Sequence, residues 1–325
     1  MNILMIDSQR VNYVDSGEYV SGARQQLFKL EVTSKPTNEQ LARADGIIAF
    51  HSVVVDEALI ARMERCRALV KATIGLDDVD VDALSSKGIL CSNIGSVGAQ
   101  EVAEHAMALI LLAQRKLLEY AAHTRHGGWN WRSHTGEVNA CSDTVLGLIG
   151  YGATGRELAQ RAAVMGYRIC FYDPWIKQCA GDVGQCSTLE SLLEVADVIS
   201  LHLPLTPETR NLLSDAQFSL MKSGATIVNT ARGGIVDTQA LLRALESGQV
   251  SMALLDVVQE EPLVPQALLE HERVFLTPHA AFYSARSLAR LKADALDTLI
   301  RLLNGEKVKT LINPECLPEK VEQHA

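Results

Sequence analysis

Residues 144–155 read TVLGLIGYGATG, an apolar run that breaks into Gly150-x-Gly152-x-x-Gly155 and then into a helical pattern. A strand that ends in this glycine spacing and feeds a helix is the phosphate-binding turn of a βαβ unit. The first glycine permits the tight turn, the second lets the backbone approach a pyrophosphate, and the third lets helix and strand pack closely. The helix N-terminus then offers N–H groups and the positive end of its dipole to the phosphates. The next apolar run, RICFYDP, ends at Asp173. That is about twenty residues on, where an acid hydrogen-bonds the ribose hydroxyls and repels a 2′-phosphate. NAD is therefore expected over NADP, and Lys177 close by does not outweigh the acid.

Short apolar runs alternate with amphipathic stretches along the whole chain. The runs at 3–6, 28–32, 46–50, 69–74 and 89–93 read as strands, as do those at 144–149, 168–172, 198–201, 226–229, 252–256 and 274–276. Helical patterns between them include 57–65, 156–165 and 238–247. Continuous apolar strands alternating with helices indicate parallel sheets covered on both faces. Five strands before residue 95 and six after 143 fit two sheets better than one. The pattern at 98–120 reads as one helix crossing to the second domain. The pattern at 284–304, closed by Gly305, reads as a helix returning to the first. The expected fold is α/β, with two doubly wound parallel-sheet domains. A Rossmann NAD-binding domain spans 97–283, and a discontinuous flavodoxin-like substrate domain spans 1–96 completed by 284–325. Residues 125–142 lack periodicity and read as a loop or arm, whose Trp129 and Trp131 reach a neighbouring subunit or support a dimer.

Bulk properties remove other classes. A net charge of −9 argues against a nucleic-acid binder. No run of 18 apolar residues occurs, so no membrane span is expected. The opening MNILMID reads as a first strand, not a signal peptide. Seven scattered cysteines without a C-x-x-C pair, Cys179 and Cys186 among them, fit reduced thiols in a cytoplasm. No H-E-x-x-H or similar cluster suggests a metal.

Ligands of a doubly wound sheet bind at the carboxyl ends of its strands. Three late strand ends carry polar residues there: Arg232 in IVNTARGGIVD, Asp256 and Glu261 in LLDVVQEEP, and His279 in FLTPH. Hydride transfer between NAD and an alcohol needs a base for the hydroxyl proton and a cation to hold a carboxylate or polarise a carbonyl. It also gains from a carboxylate that orients an imidazole base. Alone, each of these residues has an ordinary structural reading; their joint placement after consecutive strands is what points to catalysis. His202, also at a strand end, is the rival histidine and is expected to border the cofactor. Pro278 is expected to fix the backbone just before the imidazole.

Several segments together resemble the D-isomer-specific 2-hydroxyacid dehydrogenases over nearly the whole chain. They are IGLDDVDVDALSSKGI (74–89), EVAEHAMALIL (101–111), LGLIGYGATGRELAQRA (146–162), LPLTPETRNLL (203–213), IVNTARGGIVDTQALL (227–242), LLDVVQEEP (254–262) and TPHAAFYS (277–284). The last is most similar to the subgroup of C-terminal-binding proteins, dehydrogenase-like co-repressors that sense NADH. The resemblance implies that Arg232 binds substrate, that His279 is the acid–base, and that Glu261 is its paired carboxylate. It further implies that Asp256 contacts the nicotinamide carboxamide and that backbone around Ile74 and Gly75 receives the substrate carboxylate. The implied cofactor-binding set is Gly150, Tyr151, Gly152, Ala153, Thr154, Gly155, Asp173, His202, Pro204, Thr230, Ala231 and Asp256. A homodimer and a small 2-hydroxy or 2-keto acid substrate are implied, with no nucleic-acid or membrane partner. The chain departs from the family where Thr73 replaces a usual Gly, Asp78 a usual Asn, and Ala153-Thr154 a usual Arg-Ile. Alternatives are an NAD(H)-sensing binding protein without turnover, and the same fold oxidising a different reductant such as phosphite. Phe282 and Tyr283 either line the pocket or pack beneath the last helix.

Overall fold

The computed structural model describes residues 1–7, 17–20, 27–51, 53–133, 137–176 and 183–317, with the side chains of 18–20 left aside. Lys177, Cys179 and His134 fall outside these residues. The chain divides into two units, one of Met1–Val97 with Ser284–Ala325 and one of Gly98–Tyr283.

The first unit holds six strands: β1 (Asn2–Ile6), β2 (Gly17–Val20), β3 (Leu27–Thr33), β4 (Gly46–Ala49), β5 (Ala68–Lys71) and β6 (Leu90–Ser92). Their order is β2-β3-β1-β4-β5-β6, all parallel except β2, which runs antiparallel on the edge. Without β2 the order is that of flavodoxin. β4 and β5 are buried along their full length, as befits central parallel strands covered on both faces. The helix Ala285–Leu303 packs on them so closely that a Cβ on Gly46 would lie 2.9 Å from Leu303. Beyond it, the buried Asn313 side chain accepts from the Cys91 N–H at 2.7 Å and donates to the Ile89 carbonyl at 2.9 Å. This ties the C-terminal return to β6.

The second unit holds seven parallel strands: β7 (Val145–Ile149), β8 (Arg168–Tyr172), β9 (Gly184–Gln185), β10 (Val198–Leu201), β11 (Ala225–Asn229), β12 (Val250–Leu255) and β13 (Val274–Leu276). The order β13-β12-β11-β10-β7-β8-β9 is the doubly wound Rossmann order, which reverses between β7 and β10. Alternation along each strand feeds two cores. Leu146 and Leu148 enter the core with helices Ala99–Gln114 and Ala153–Val164, whereas Ile149, Ile199 and Leu201 enter the core on the other face. A Cβ on Gly147 would lie 2.8 Å from Ala196, so glycine permits close helix packing there.

Several boundaries differ from the sequence reading. The expected single helix over 98–120 is two, Ala99–Gln114 and Leu117–Arg125, because Lys116 turns left-handed at φ 54°. The strand expected over 69–74 ends at Lys71, whose side chain bonds to neighbouring loops. The helix expected from 156 starts at Ala153, immediately after Gly152. The short edge strands β2 and β9 add to the expected five and six. No helix among the described residues is long and apolar enough to cross a membrane.

Candidate active site

The glycine loop follows β7 at the reversal of strand order. Gly150 has φ 91°, and a Cβ on it would fall 2.4 Å from the His202 carbonyl oxygen. A Cβ on Gly155 would fall 2.4 Å from the Gly150 carbonyl oxygen, so the third glycine seats the helix on the turn. Gly152 has nothing within 4 Å of that position and caps the helix without a side-chain bond. This is open backbone at a helix N-terminus, suited to a pyrophosphate. Tyr151 stacks on Phe171 with centroids 4.0 Å apart, and its N–H donates to Asp173 Oδ2 at 2.9 Å. Asp173 Oδ1 accepts from the Trp175 N–H at 3.0 Å. The acid is thus fixed by two backbone donors just past the end of β8.

His202 and Thr230 complete this wall after β10 and β11. Ser200 Oγ lies 2.9 Å from His202 Nε2. Desolvation pulls the His202 imidazole down to about 4, which keeps it neutral. The Thr230 hydroxyl is buried without a hydrogen-bond partner among the described residues. An orphaned hydroxyl at the carboxyl end of the same sheet as the open glycine turn fits a polar cofactor. The residues present therefore fit a dinucleotide.

Arg232 follows β11 in a braced turn. Asn229 Oδ1 accepts from the Ala231 N–H at 3.0 Å, and Asn229 Nδ2 donates to the Arg232 carbonyl at 2.9 Å. A Cβ on Gly233 would lie 1.9 Å from the Val258 carbonyl carbon. Only glycine lets the loops after β11 and β12 approach so closely, which brings the segment of Arg232 beside that of Glu261.

Glu261 and His279 meet directly. His279 Nδ1 lies 2.6 Å from Glu261 Oε2, and Glu261 Oε1 accepts from the Val258 N–H at 3.2 Å. His279 sits in the left-handed region at φ 52°, unusual for a residue with a side chain. The buried Asp256 holds it there. Its Oδ1 accepts from Thr277 Oγ1 at 2.5 Å and the Ala280 N–H at 2.9 Å, and its Oδ2 accepts from the Ala281 N–H at 2.9 Å. The His279 N–H donates to the Asp256 carbonyl at 2.8 Å. His105 Nε2 lies 3.1 Å from the Thr277 hydroxyl. These hydrogen bonds to Asp256 hold the turn that follows Pro278. Neither this task of Asp256 nor His105 is legible in the sequence, because nothing local links residue 256 to 280 and 281. Phe282 stands edge-on to the His279 ring at 6.3 Å, while the Tyr283 side chain is exposed.

Ile74 and Gly75 lie in the first unit, in the loop after β5. Asn93 Nδ2 donates to the Ile74 carbonyl at 2.8 Å and Thr73 Oγ1 to the Gly75 carbonyl at 2.7 Å.

A Rossmann sheet, a dinucleotide turn and an acid–histidine pair at neighbouring strand ends are the parts that hydride exchange with a nicotinamide cofactor calls for. Residues 107–281 match the family model described as D-isomer specific 2-hydroxyacid dehydrogenase, NAD binding domain. The chain is 35% identical over 313 residues to a glyoxylate reductase of Aeropyrum pernix, covering 91% of this chain and 92% of that protein. It is 32% identical over 303 residues to D-3-phosphoglycerate dehydrogenase of Methanocaldococcus jannaschii, covering 91% of this chain but 57% of that protein. The chain thus spans little more than half the length of the phosphoglycerate dehydrogenases it matches. D-lactate dehydrogenase from Aquifex aeolicus, solved with NAD and lactic acid, superposes with a TM-score of 0.77 at 29% identity, over 85% of this chain and 89% of that one. The chain belongs to the D-isomer-specific 2-hydroxyacid dehydrogenase family, and NAD is its cofactor.

Proposed function

We propose that this chain interconverts a 2-oxo acid and its D-2-hydroxy acid, with His279 as acid–base, Glu261 as its orienting carboxylate and Arg232 as the substrate cation. The observation that carries this is the 2.6 Å contact between His279 Nδ1 and Glu261 Oε2 at the carboxyl end of the nucleotide-binding sheet. Bound NADH supplies the hydride for the carbonyl carbon, and bound NAD takes it back in the reverse direction. His279, oriented through Nδ1, delivers a proton from Nε2 to the carbonyl oxygen as the C–H bond forms, and recovers it in oxidation. The Arg232 guanidinium matches the planar array of a carboxylate and an adjacent carbonyl, which an ammonium does not. The first unit serves as the substrate domain, with the N–H groups around Ile74 and Gly75 receiving the substrate carboxylate.

Alignment over almost the full length of a glyoxylate reductase supports testing short 2-oxo acids first. The test is NADH oxidation with glyoxylate, hydroxypyruvate, pyruvate and phenylpyruvate. Wild type is expected to turn over at least one. His279→Ala is expected to lower kcat by ~10²–10⁴, and Arg232→Ala to lower kcat/KM. Full activity in either variant contradicts that residue's role. The protein also assembles as a homodimer: Trp129 and Trp131 are 94% and 69% exposed, as befits side chains that another subunit covers. Light scattering is expected to give twice the chain mass.

A further inference from the structure

We propose that Lys71 and Asp78 are a positioning pair that sets the substrate-carboxylate loop for binding. The inference rests on Ile74 and Gly75 receiving the substrate carboxylate. Lys71 ends β5 and is 1% exposed, although lysine is almost never fully buried unless paired. Its ammonium donates to the Val53 carbonyl at 2.7 Å and to Asp78 Oδ2 at 2.5 Å. One side chain therefore ties together the end of β5, the loop after β4 and the far end of the loop 72–78. The backbone locks the same junction, since the Val55 N–H donates to the Asp78 carbonyl and the Asp80 N–H to the Val55 carbonyl, both at 2.8 Å.

Within the loop, carbonyls and N–H groups are treated differently. The carbonyls of Thr73, Ile74 and Gly75 each accept a protein donor, from the Ile94 N–H, Asn93 Nδ2 and Thr73 Oγ1 respectively. No protein acceptor takes the N–H groups of Ile74, Gly75 and Leu76 among the described residues. Turning carbonyls inward and leaving successive N–H groups without an acceptor is how backbone prepares for an anion. The conformation depends on where residue 78 is anchored, because that residue closes the loop. The two departures from the family pattern then have a shared reason. Asp78 carries a charge because the buried Lys71 needs one, and Thr73 carries a hydroxyl that occupies the Gly75 carbonyl.

The experiment is steady-state NADH oxidation, with the 2-oxo acid that wild type uses, by Asp78→Asn, Asp78→Glu and the double variant Lys71→Met/Asp78→Asn. NADH affinity is followed separately by fluorescence. Losing the anchor removes a contact made equally in ground and transition states. KM for the acid is therefore expected to rise roughly 10-fold in Asp78→Asn with kcat within about twofold and NADH affinity unchanged. The double variant removes the uncompensated buried charge but not the loss of the tether, so its KM stays raised. Asp78→Glu keeps both charges, hence the fold, and is expected to recover KM to within about threefold of wild type. An unmoved KM in the double variant, or kcat falling with KM unmoved, overturns the proposal. So does a Glu variant that folds but binds the acid no better than the Asn variant. Wild-type turnover that is lost in His279→Ala, beside unmoved KM in the pair variants, overturns the pair alone. Full activity in His279→Ala, or no wild-type turnover of any 2-oxo acid, overturns the functional reading and the pair with it.

Discussion

Two turns of this molecule stand at the carboxyl ends of parallel strands, and each is held by a carboxylate, but by different chemistry. The turn of residues 277–281 hangs on Asp256, whose oxygens take two backbone N–H groups and a threonine hydroxyl. The loop of residues 72–78 hangs on Asp78, whose partner is the ammonium of Lys71. Backbone donors have fixed directions, so a carboxylate that collects them dictates the main-chain path, here into the left-handed conformation of His279. An ammonium is a point charge on a flexible stem, so it anchors residue 78 against the loop after β4, and the loop takes its conformation from that anchor together with the Thr73 and Asn93 hydrogen bonds. The first arrangement suits an acid–base group that must be aimed. The second suits a cradle of N–H groups for an anion.

The largest effect is expected at Asp256. Asp256→Ala leaves the buried Ala281 N–H without an acceptor, at about 1–3 kcal/mol, strips the part-buried Ala280 N–H of its partner, and releases the turn that carries His279. The account predicts a fall in kcat of about 10²-fold, the scale of a misplaced reacting group, with a lowered melting temperature. A kcat near wild type means that the turn holds its shape without the clamp. Next comes Asp78→Asn, whose expected signature is a raised KM with kcat kept; if both turns respond in kcat, the distinction between aiming and cradling fails.

The smallest effect at neutral pH concerns His202, which underlies the glycine turn. Its imidazole is pulled down to about 4 by burial, against about 6.5 for an unfolded histidine. Between those values the unfolded chain takes up a proton that the folded one refuses. This contribution to stability is therefore full above about pH 6.5 and is lost as pH falls toward 4. Urea unfolding is expected to show wild type losing roughly 2 kcal/mol more than His202→Asn between pH 7 and pH 5. An identical loss in both assigns the acid sensitivity to other groups.

Much of the nucleotide site is legible in the sequence because it is local. The glycine spacing, the strand before it and the helix after it are contiguous, and Asp173 follows at a fixed interval along one βαβ unit. The helix Thr238–Ser247 is legible to its bounds, since Asp237 caps it and Gly248 closes it with φ 78°. The pairing of Glu261 with His279 follows from resemblance, although seventeen other residues separate the two in sequence. What stays hidden is tertiary. Lys71 reads as one charged residue within the run 69–74, and only the fold reveals that it ends β5 and is buried against residues 53 and 78. The break at Lys116 lies in good helix formers, so propensity gives no sign of it. The edge strands β2 and β9, of four and two residues, are too short for a period to show.

The role of His279 as proton donor in the reduction of a 2-oxo acid, for which bound NADH would supply the hydride, is tested most directly by the configuration and yield of the product. Chiral chromatography of the 2-hydroxy acid formed from NADH and pyruvate, hydroxypyruvate or phenylpyruvate, whichever turns over, is the measurement. The account predicts the D enantiomer from wild type and at most a trace from His279→Ala. The L enantiomer, a racemate, or undiminished product from the variant would contradict it.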